Sequence, residues 1–259
     1  MLRITAIIAA KNELPYLKNL IPYLDSENID VVVVDNESTD GTEEYVNLHH
    51  PKTRIEHLPY KGSFDLTEVL LTKQKISQSL ASGWVIHHDA DEIMVDKTGW
   101  GGLRSSIEKS DHQGFNAMNF QELVLLPRDP EVDDVLNNNK NFYYFGPHPI
   151  RKQATYKLGL GIENVTKAGH WLTGDIKLSD ELMFVRHYLV RSQSHAITKF
   201  ANRQFSRAGL NKGWHSNRTN LSGKALKIPT EHPNLAPLPD PFDADLVLRH
   251  PLSDHFWAW

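Results

Sequence analysis

Within six residues, His87-His88-Asp89-Ala90-Asp91-Glu92, the chain sets three carboxylates and two imidazoles directly behind the apolar run Trp84-Val85-Ile86. Carboxylates this close repel one another, so the cluster is expensive without a cation. A divalent metal held by hard oxygen ligands is the simple remedy. Asp89 and Asp91 lie two apart, so in an extended chain they point the same way and can share one ion or one metal-bound nucleotide. The plainer alternative is an acidic turn in which Glu92 opens a solvated loop. The hydrophobic strand in front of it favours a site.

The elements that must place these residues are legible in the hydrophobic pattern. Residues 4–9 form an apolar run, the mark of a strand buried on both faces. Asn12 is placed to cap a helix whose first turn holds Glu13 and Pro15, with Leu14, Leu17, Ile21 and Leu24 on one face. Val31-Val32-Val33-Val34 is a second buried strand, ended by the turn formers Asp35-Asn36-Glu37-Ser38-Thr39-Asp40-Gly41. A short helix is expected over 42–48 and a third strand over 54–58. A helix follows over 66–81, with Val69, Leu70, Ile76 and Leu80 inward and Gly83 ending it. The fourth strand runs over 84–88. Strand and helix in this alternation imply right-handed crossovers and a mainly parallel sheet flanked by helices. Ligands bind such sheets at the carboxyl ends of the strands. Ala9-Ala10-Lys11-Asn12, Asp35-Asn36-Glu37 and Asp89-Ala90-Asp91 are three polar strand exits on that one edge.

The second half is less regular. Residues 115–126 read as one long strand or a strand pair, 128–141 as a polar loop, and 142–158 as alternating aromatic and basic residues ending in short strands. A strand is expected over 183–190 and a helix over 194–208. Five prolines between 229 and 241 preclude regular structure, so this stretch wraps the body as an irregular extension. Residues 1–110 are thus expected to form a regular α/β half, and 111–259 a less regular half with a tail, in one compact domain.

Composition narrows the chemistry. The 259 residues, 40% hydrophobic and 23% charged, can bury a proper core. A net charge of -4 argues against a nucleic-acid partner. With no cysteine, disulfides, thiolate catalysis and cysteine-ligated zinc are excluded. No apolar run approaches the roughly 20 residues of a membrane-spanning helix, and the N-terminus reads as a core strand. A cytoplasmic location is the expectation.

Three linked segments, Ile4 through Glu13, Val32 through Thr42, and Asp89-Ala90-Asp91-Glu92, resemble the opening of family 2 type glycosyltransferases with a GT-A fold, over roughly the first 100 residues. The Asp-Ala-Asp-Glu version is similar to a subgroup with a later His-Tyr segment, matched here by His187-Tyr188-Leu189-Val190-Arg191-Ser192 and followed by Lys199. Between 110 and 180 the resemblance is weak. It implies a metal-dependent transfer of a sugar from a nucleoside-diphosphate donor to a glycan, lipid-linked, protein or other hydroxyl acceptor, with inversion favoured. It also implies that 1–110 is the nucleotide-sugar-binding half and 111–259 the acceptor-binding half of one catalytic domain, with a nucleotide site around Ala9, Ala10, Asn12, Glu13, Asp35, Glu37 and Asp89. Mn2+ or Mg2+ would sit at Asp91, with Asp89 on the ribose or the ion's shell and His187 completing the ligand set; imidazole suits Mn2+ better than Mg2+.

An inverting enzyme needs a base for the acceptor hydroxyl. Glu122, Glu163, Asp175 and Asp180 all lie downstream of the acidic motif, and Glu122 is the first choice because the strand before it can aim it at the cleft. The aromatic run Phe142 to Phe145, with Pro147, His148, Pro149, Arg151 and Lys152, is a candidate for stacking on sugar and holding an anionic acceptor, or simply for core packing. Trp171, Trp214 and His215 carry the same two readings. Two rival functions stand beside the transferase. One is a nucleotidyltransferase making sugar nucleotides, against which the glycine-free stretch 9–15 weighs. The other is a non-catalytic nucleotide-sugar binding protein, against which the complete set of carboxylates weighs.

Overall fold

The computed structural model describes residues 1–146, 152–201, 203–219 and 221–259. The first half runs β1 (Ile4–Ala10), α1 (Leu14–Ser26), β2 (Asp30–Asp35), α2 (Thr42–His49), β3 (Arg54–His57), α3 (Leu66–Ser79), β4 (Trp84–Asp89), β5 (Glu92–Asp96) and α4 (Leu103–His112). The second half adds β6 (Ala117–Leu126), α5 (Val135–Asn138), β7 (Asn141–Phe145), β8 (Lys152–Lys157), β9 (Glu163–Thr166), β10 (Trp171–Thr173) and β11 (Met183–His187). The chain closes with α6 (Gln193–Phe200), α7 (Arg207–Asn211), β12 (Ala236–Pro237), α8 (Ala244–Val247) and β13 (Pro251–Leu252). No helix among the described residues is long and apolar enough to cross a membrane.

One sheet takes strands from both halves, in the order β12-β7-β6-β8-β4-β1-β2-β3. Strands β4, β1, β2 and β3 are parallel, as the strand-helix alternation requires. The sheet is extended on the other side by the antiparallel pairs β4·β8, β8·β6 and β6·β7. The α/β fold class expected from the sequence is therefore present, with its parallel strands concentrated in the first half. The core runs continuously from Ile4, Ile8 and Val33 through Trp84 and Ile86 to Phe120, Leu123 and Phe184, all nearly solvent-free.

Local differences from the expected elements have local causes. Asn12 does not cap α1. It adopts a left-handed conformation, and its side-chain oxygen accepts from the Thr39 N–H at 2.7 Å. The first helical N–H, of Leu14, is instead satisfied from another loop by Asp40 Oδ2 at 2.9 Å. Asp40 Oδ1 takes the Thr42 hydroxyl at 2.6 Å and its N–H at 3.2 Å, so one carboxylate secures two helix starts. Helix α3 ends at Ser79, before Gly83. That glycine, at φ 112°, lets the chain pass the Arg3 carbonyl, where a Cβ would come within 2.3 Å. Helix α6 stops at Phe200 because the following segment pairs with Phe64 in extended form, through Phe64 N–H to Gln204 O (2.8 Å) and Ser206 N–H to Phe64 O (2.9 Å). Helix α4 escaped the periodicity reading because Ser106 and Ser110 share its buried stripe with Leu103 and Ile107.

Because Asp40 holds the β1 and β2 exits in register, Asp40→Ala should destabilise the protein by about 1–2 kcal/mol, the upper range for a lost helix cap. The urea midpoint should fall at unchanged m-value; an unmoved midpoint would show that the shared cap contributes nothing.

Candidate functional site

The acidic motif lies where β4 ends. The chain turns at Ala90 and Asp91 instead of continuing extended, and Glu92 opens β5, buried, not a solvated loop. This turn shifts the backbone from the ladder of β4 to that of β11, where Glu92 stands opposite His187. The Tyr188 N–H donates to the Asp91 carbonyl at 2.8 Å. Strand β11 also runs parallel to β6 with Val185 opposite Glu122, so His187, two residues on, shares that face. Three elements distant in sequence thus meet at one point.

There Glu122 Oε1 lies 2.6 Å from His187 Nδ1, and His187 Nε2 lies 3.3 Å from Asp91 Oδ2. The Lys199 ammonium, from α6, donates to the same Asp91 oxygen at 2.8 Å and stands 3.5 Å from Glu13. The Tyr16 hydroxyl fixes the β11 exit from α1 by donating to the Tyr188 carbonyl at 2.6 Å.

The crowded carboxylates have cations of the protein's own. Asp89 receives Lys73 at 3.1 Å and Lys152 at 2.9 Å, one on each oxygen, while half of its side chain faces the cavity. Lys152 also holds Glu92 at 2.6 Å, with both side chains almost wholly buried. Burial would raise the Asp89 pKa, but Lys152 and Lys73 hold it well below the carboxylate range. Burial opposes ionisation of Asp91 too, and Lys199 and His187 overcome it. For Glu92 burial prevails over Lys152 and lifts the pKa to about 7. For His187 burial favours the neutral ring, but Asp91 and Glu122 raise its pKa to about 9.

The two imidazoles of the motif serve the interior. His87 bonds Ser77 Oγ at 2.8 Å and burial pushes its pKa well down; burial takes His88 to about 4. Asp89 and Asp91 both line the cavity, on either side of a turn and not along one extended chain, and each has its own cations.

A cavity opens over this cluster at the carboxyl ends of the parallel strands. Ala9, Ala10, Glu13 and Asn36 form its wall on the β1 and β2 side, and Asp89, Asp91, Glu122 and His187 its floor. Asp35 and Glu37 stand behind that wall: the Asp35 carboxylate accepts from the Ser38 N–H at 3.1 Å, a turn-holding role, and Glu37 is exposed. Glu163, Asp175 and Asp180 are exposed and outside the cavity. Trp171 is exposed, and Lys212 lies over the Trp214 ring at 4.5 Å. Phe142, Tyr143 and Tyr144 are buried packing, and Lys152 holds the acidic floor instead of facing an acceptor. Pro147, His148, Pro149 and Arg151 lie outside the described residues.

The functional residues that pattern reading missed are basic. Lys73 did leave a signal: it falls on the inward stripe of α3 between Val69 and Ile76, where a lysine belongs only if it has a buried partner. Lys152 stands out only as part of the aromatic and basic run, and Arg203 and Arg218 have no such pattern.

Residues 5–98 match the model of Glycosyl transferase family 2. The resemblance carried by the three motifs is borne out over that segment. Among solved structures the chain is similar to TarS 1-349 of S. aureus in complex with UDP, with 15% identity over 88% of this chain and 75% of that one, at a TM-score of 0.49. It is also similar to the mannosyltransferase PcManGT from Pyrobaculum calidifontis in complex with GDP-Man and Mn2+, with 20% identity over 46% of this chain and a TM-score of 0.35. The alignment spans 35% of that mannosyltransferase's length. No curated protein matches the chain.

Between the acidic turn and β11, the charge arrangement has a pH signature. The His187 pKa is about 9 folded and about 6.5 unfolded. Its contribution is fully present below pH 6.5 and lost as pH rises through 9. Glu92, raised to about 7, exhausts its own effect below that value, and Asp91, Glu122 and Lys199 are the charged groups facing the ring. Thermal melts in chelator should therefore show falling stability from pH 7 to 9, with His187→Gln flattening the slope. Equal wild-type stability at both ends would rule out a protonated bridge.

Proposed function

We propose that this chain is a metal-dependent glycosyltransferase, moving a sugar from a nucleoside-diphosphate donor to a hydroxyl acceptor. The observation that carries the reading is the chain Glu122–His187–Asp91 at the carboxyl edge of the parallel strands. His187 Nε2 and Asp91 Oδ2 are 3.3 Å apart, close to the spacing of neighbouring ligands around an ion with bonds of about 2.1 Å. Glu122 occupies Nδ1, which orients the ring and leaves Nε2 toward the ion, a common outer-shell arrangement. Among the described residues no three His, Asp or Glu side chains gather as a complete metal cage. A two-ligand site suits Mn2+ or Mg2+, which keep water and substrate phosphates in their shells. When bound, the ion would stabilise charge developing on the departing diphosphate.

The protein's own groups supply the rest. Lys199 adds positive charge at the same carboxylate, and Asp89, fixed by two lysines with half its surface open, is placed for a ribose hydroxyl or the ion's water. Ala9, Ala10 and Asn36 offer a small-residue wall for the nucleoside. Glu122, engaged with Nδ1, acts through His187 as a positioning residue, not as the base. The glycine-free exit of β1 does not favour a nucleotidyltransferase.

Calorimetry with UDP-, GDP-, CDP- and dTDP-sugars and Mn2+ should find one donor, and product analysis should then show transfer to an added hydroxyl. No binding by any of the four would sink the reading. Asp91→Asn should remove turnover while leaving the fold intact. Glu122→Gln should weaken Mn2+ binding by about 10–100-fold, the usual cost of a lost outer-shell partner. Turnover of Asp91→Asn equal to wild type under added Mn2+ would place the ion elsewhere.

A further inference from the structure

The acids of the cavity floor have cations in hydrogen-bond contact, but two further cations of the cavity feel those acids only at longer range, with no ion pair of their own among the described residues. Arg203 and Arg218, on the stretch that follows α6, both line the cavity. Neither guanidinium makes a hydrogen bond or an ion pair among the described residues. Their neighbours are aromatic: Arg203 lies 4.2 Å over Phe64, and Arg218 5.8 Å over Phe200 and 5.7 Å over Trp257. Rings support the flat faces of guanidinium groups but accept little from their N–H edges. His215, stacked on Phe205 at 4.9 Å, is kept neutral, since burial and the two arginines push its pKa down to about 3. Burial lowers the pKa of both arginines, and Arg203 lowers that of Arg218 further. These are like charges held side by side in a partly desolvated wall.

The wall is also fixed in place. Backbone bonds from Phe64 to Gln204 and Ser206 pin the segment that follows Arg203, and Arg218 packs on Trp257 of the C-terminal aromatic cluster. Holding two unpaired arginines this way costs stability unless an anion enters between them. A planar, forked donor of this kind matches phosphate oxygens in pairs, and two of them match a dianion. The donor's diphosphate already has Lys199 and, on the reading above, a divalent ion.

We propose that Arg203 and Arg218 form an anion subsite of the cavity in addition to the one for the donor diphosphate, and that it takes a phosphate group carried by the acceptor. This rests on the glycosyltransferase reading for the word acceptor, but the subsite itself does not.

Calorimetric titration of methyl phosphate tests it, with and without saturating nucleoside diphosphate and Mg2+. Methyl phosphate should bind wild-type protein in both conditions. Arg203→Gln and Arg218→Gln should each weaken it by roughly tenfold or more, the scale of a lost hydrogen bond between charged groups. Nucleoside-diphosphate affinity should stay unchanged in both variants. Arg218→Lys, which keeps charge but not the fork, should fall between, and the Gln variants should melt no lower than wild type because a repulsion is removed. Competition between methyl phosphate and nucleoside diphosphate, or loss of nucleoside-diphosphate affinity in the variants, would assign the arginines to the donor and overturn the proposal. So would absence of methyl phosphate binding to wild-type protein. If no nucleoside diphosphate binds at all, the donor reading fails, while selective loss of methyl phosphate in the variants still supports the subsite.

Discussion

The structure around the cavity depends on pairing carboxylates with lysines drawn from separate elements. Lys73 comes from α3, Lys152 from β8 and Lys199 from α6, and all three reach the four-residue stretch Asp89-Ala90-Asp91-Glu92. Lys152 reaches the stretch from a strand already paired with β4, whereas Lys73 and Lys199 tie it to two helices. Breaking a buried pair by removing one partner leaves an uncompensated charge, which is far more costly than the net worth of the intact pair. The lysines therefore constrain geometry more than they add stability. They fix where α3, β8 and α6 sit relative to the end of β4, and with that the shape of the cavity floor.

The turn at Ala90 and Asp91 is the second constraint, and it explains why a histidine some hundred residues away reaches the motif. A straight continuation of β4 would have kept Glu92 in the parallel ladder. By turning, the chain enters an antiparallel pairing with β11, and the register Glu92 opposite His187 brings the imidazole to Asp91. Strand β6 lies on the other side of β11 and contributes Glu122. One registration of two strand pairs thus assembles a carboxylate–imidazole–carboxylate line whose central ring is held protonated by its neighbours. Loading of an ion at this point must displace that proton, so the metal-free and ion-bound forms of the site exchange one positive charge for another at nearly the same place.

Much of this was legible in the sequence, and the division follows physical lines. Strand exits were readable because buried parallel strands are continuous apolar runs with sharp polar ends, as at Ala10, Asp35 and Asp89. Glu122 could be singled out because an apolar strand leads to it, although its partner could not. Local hydrogen bonding was less legible: Asn12 and Asp40 both have the chemistry to cap α1, and only the fold decides that Asp40 does so from the neighbouring loop. The acidic motif invited a cation, and composition alone could not tell a metal from lysines that arrive through tertiary structure. Lys73 on an apolar stripe was the one lysine with a pattern to betray it. Arg203 and Arg218 lie in irregular chain, where no periodicity ties a residue to a face.

The two walls of the cavity are not electrostatic mirror images, and the difference bears on order of assembly. The floor is internally neutralised, so it can form during folding without waiting for ligand, and its geometry is set before a donor arrives. The arginine wall is held by aromatic packing and backbone pairing at Phe64 instead of by counter-charges. Its two guanidinium groups line the cavity with no ion pair among the described residues. A surface that pays for such exposure in stability gains it back only when an anion is present. Preorganised positive charge of this kind acts most strongly once water is excluded and the effective dielectric falls. A ligand that fills the cavity thus strengthens the attraction that drew it in.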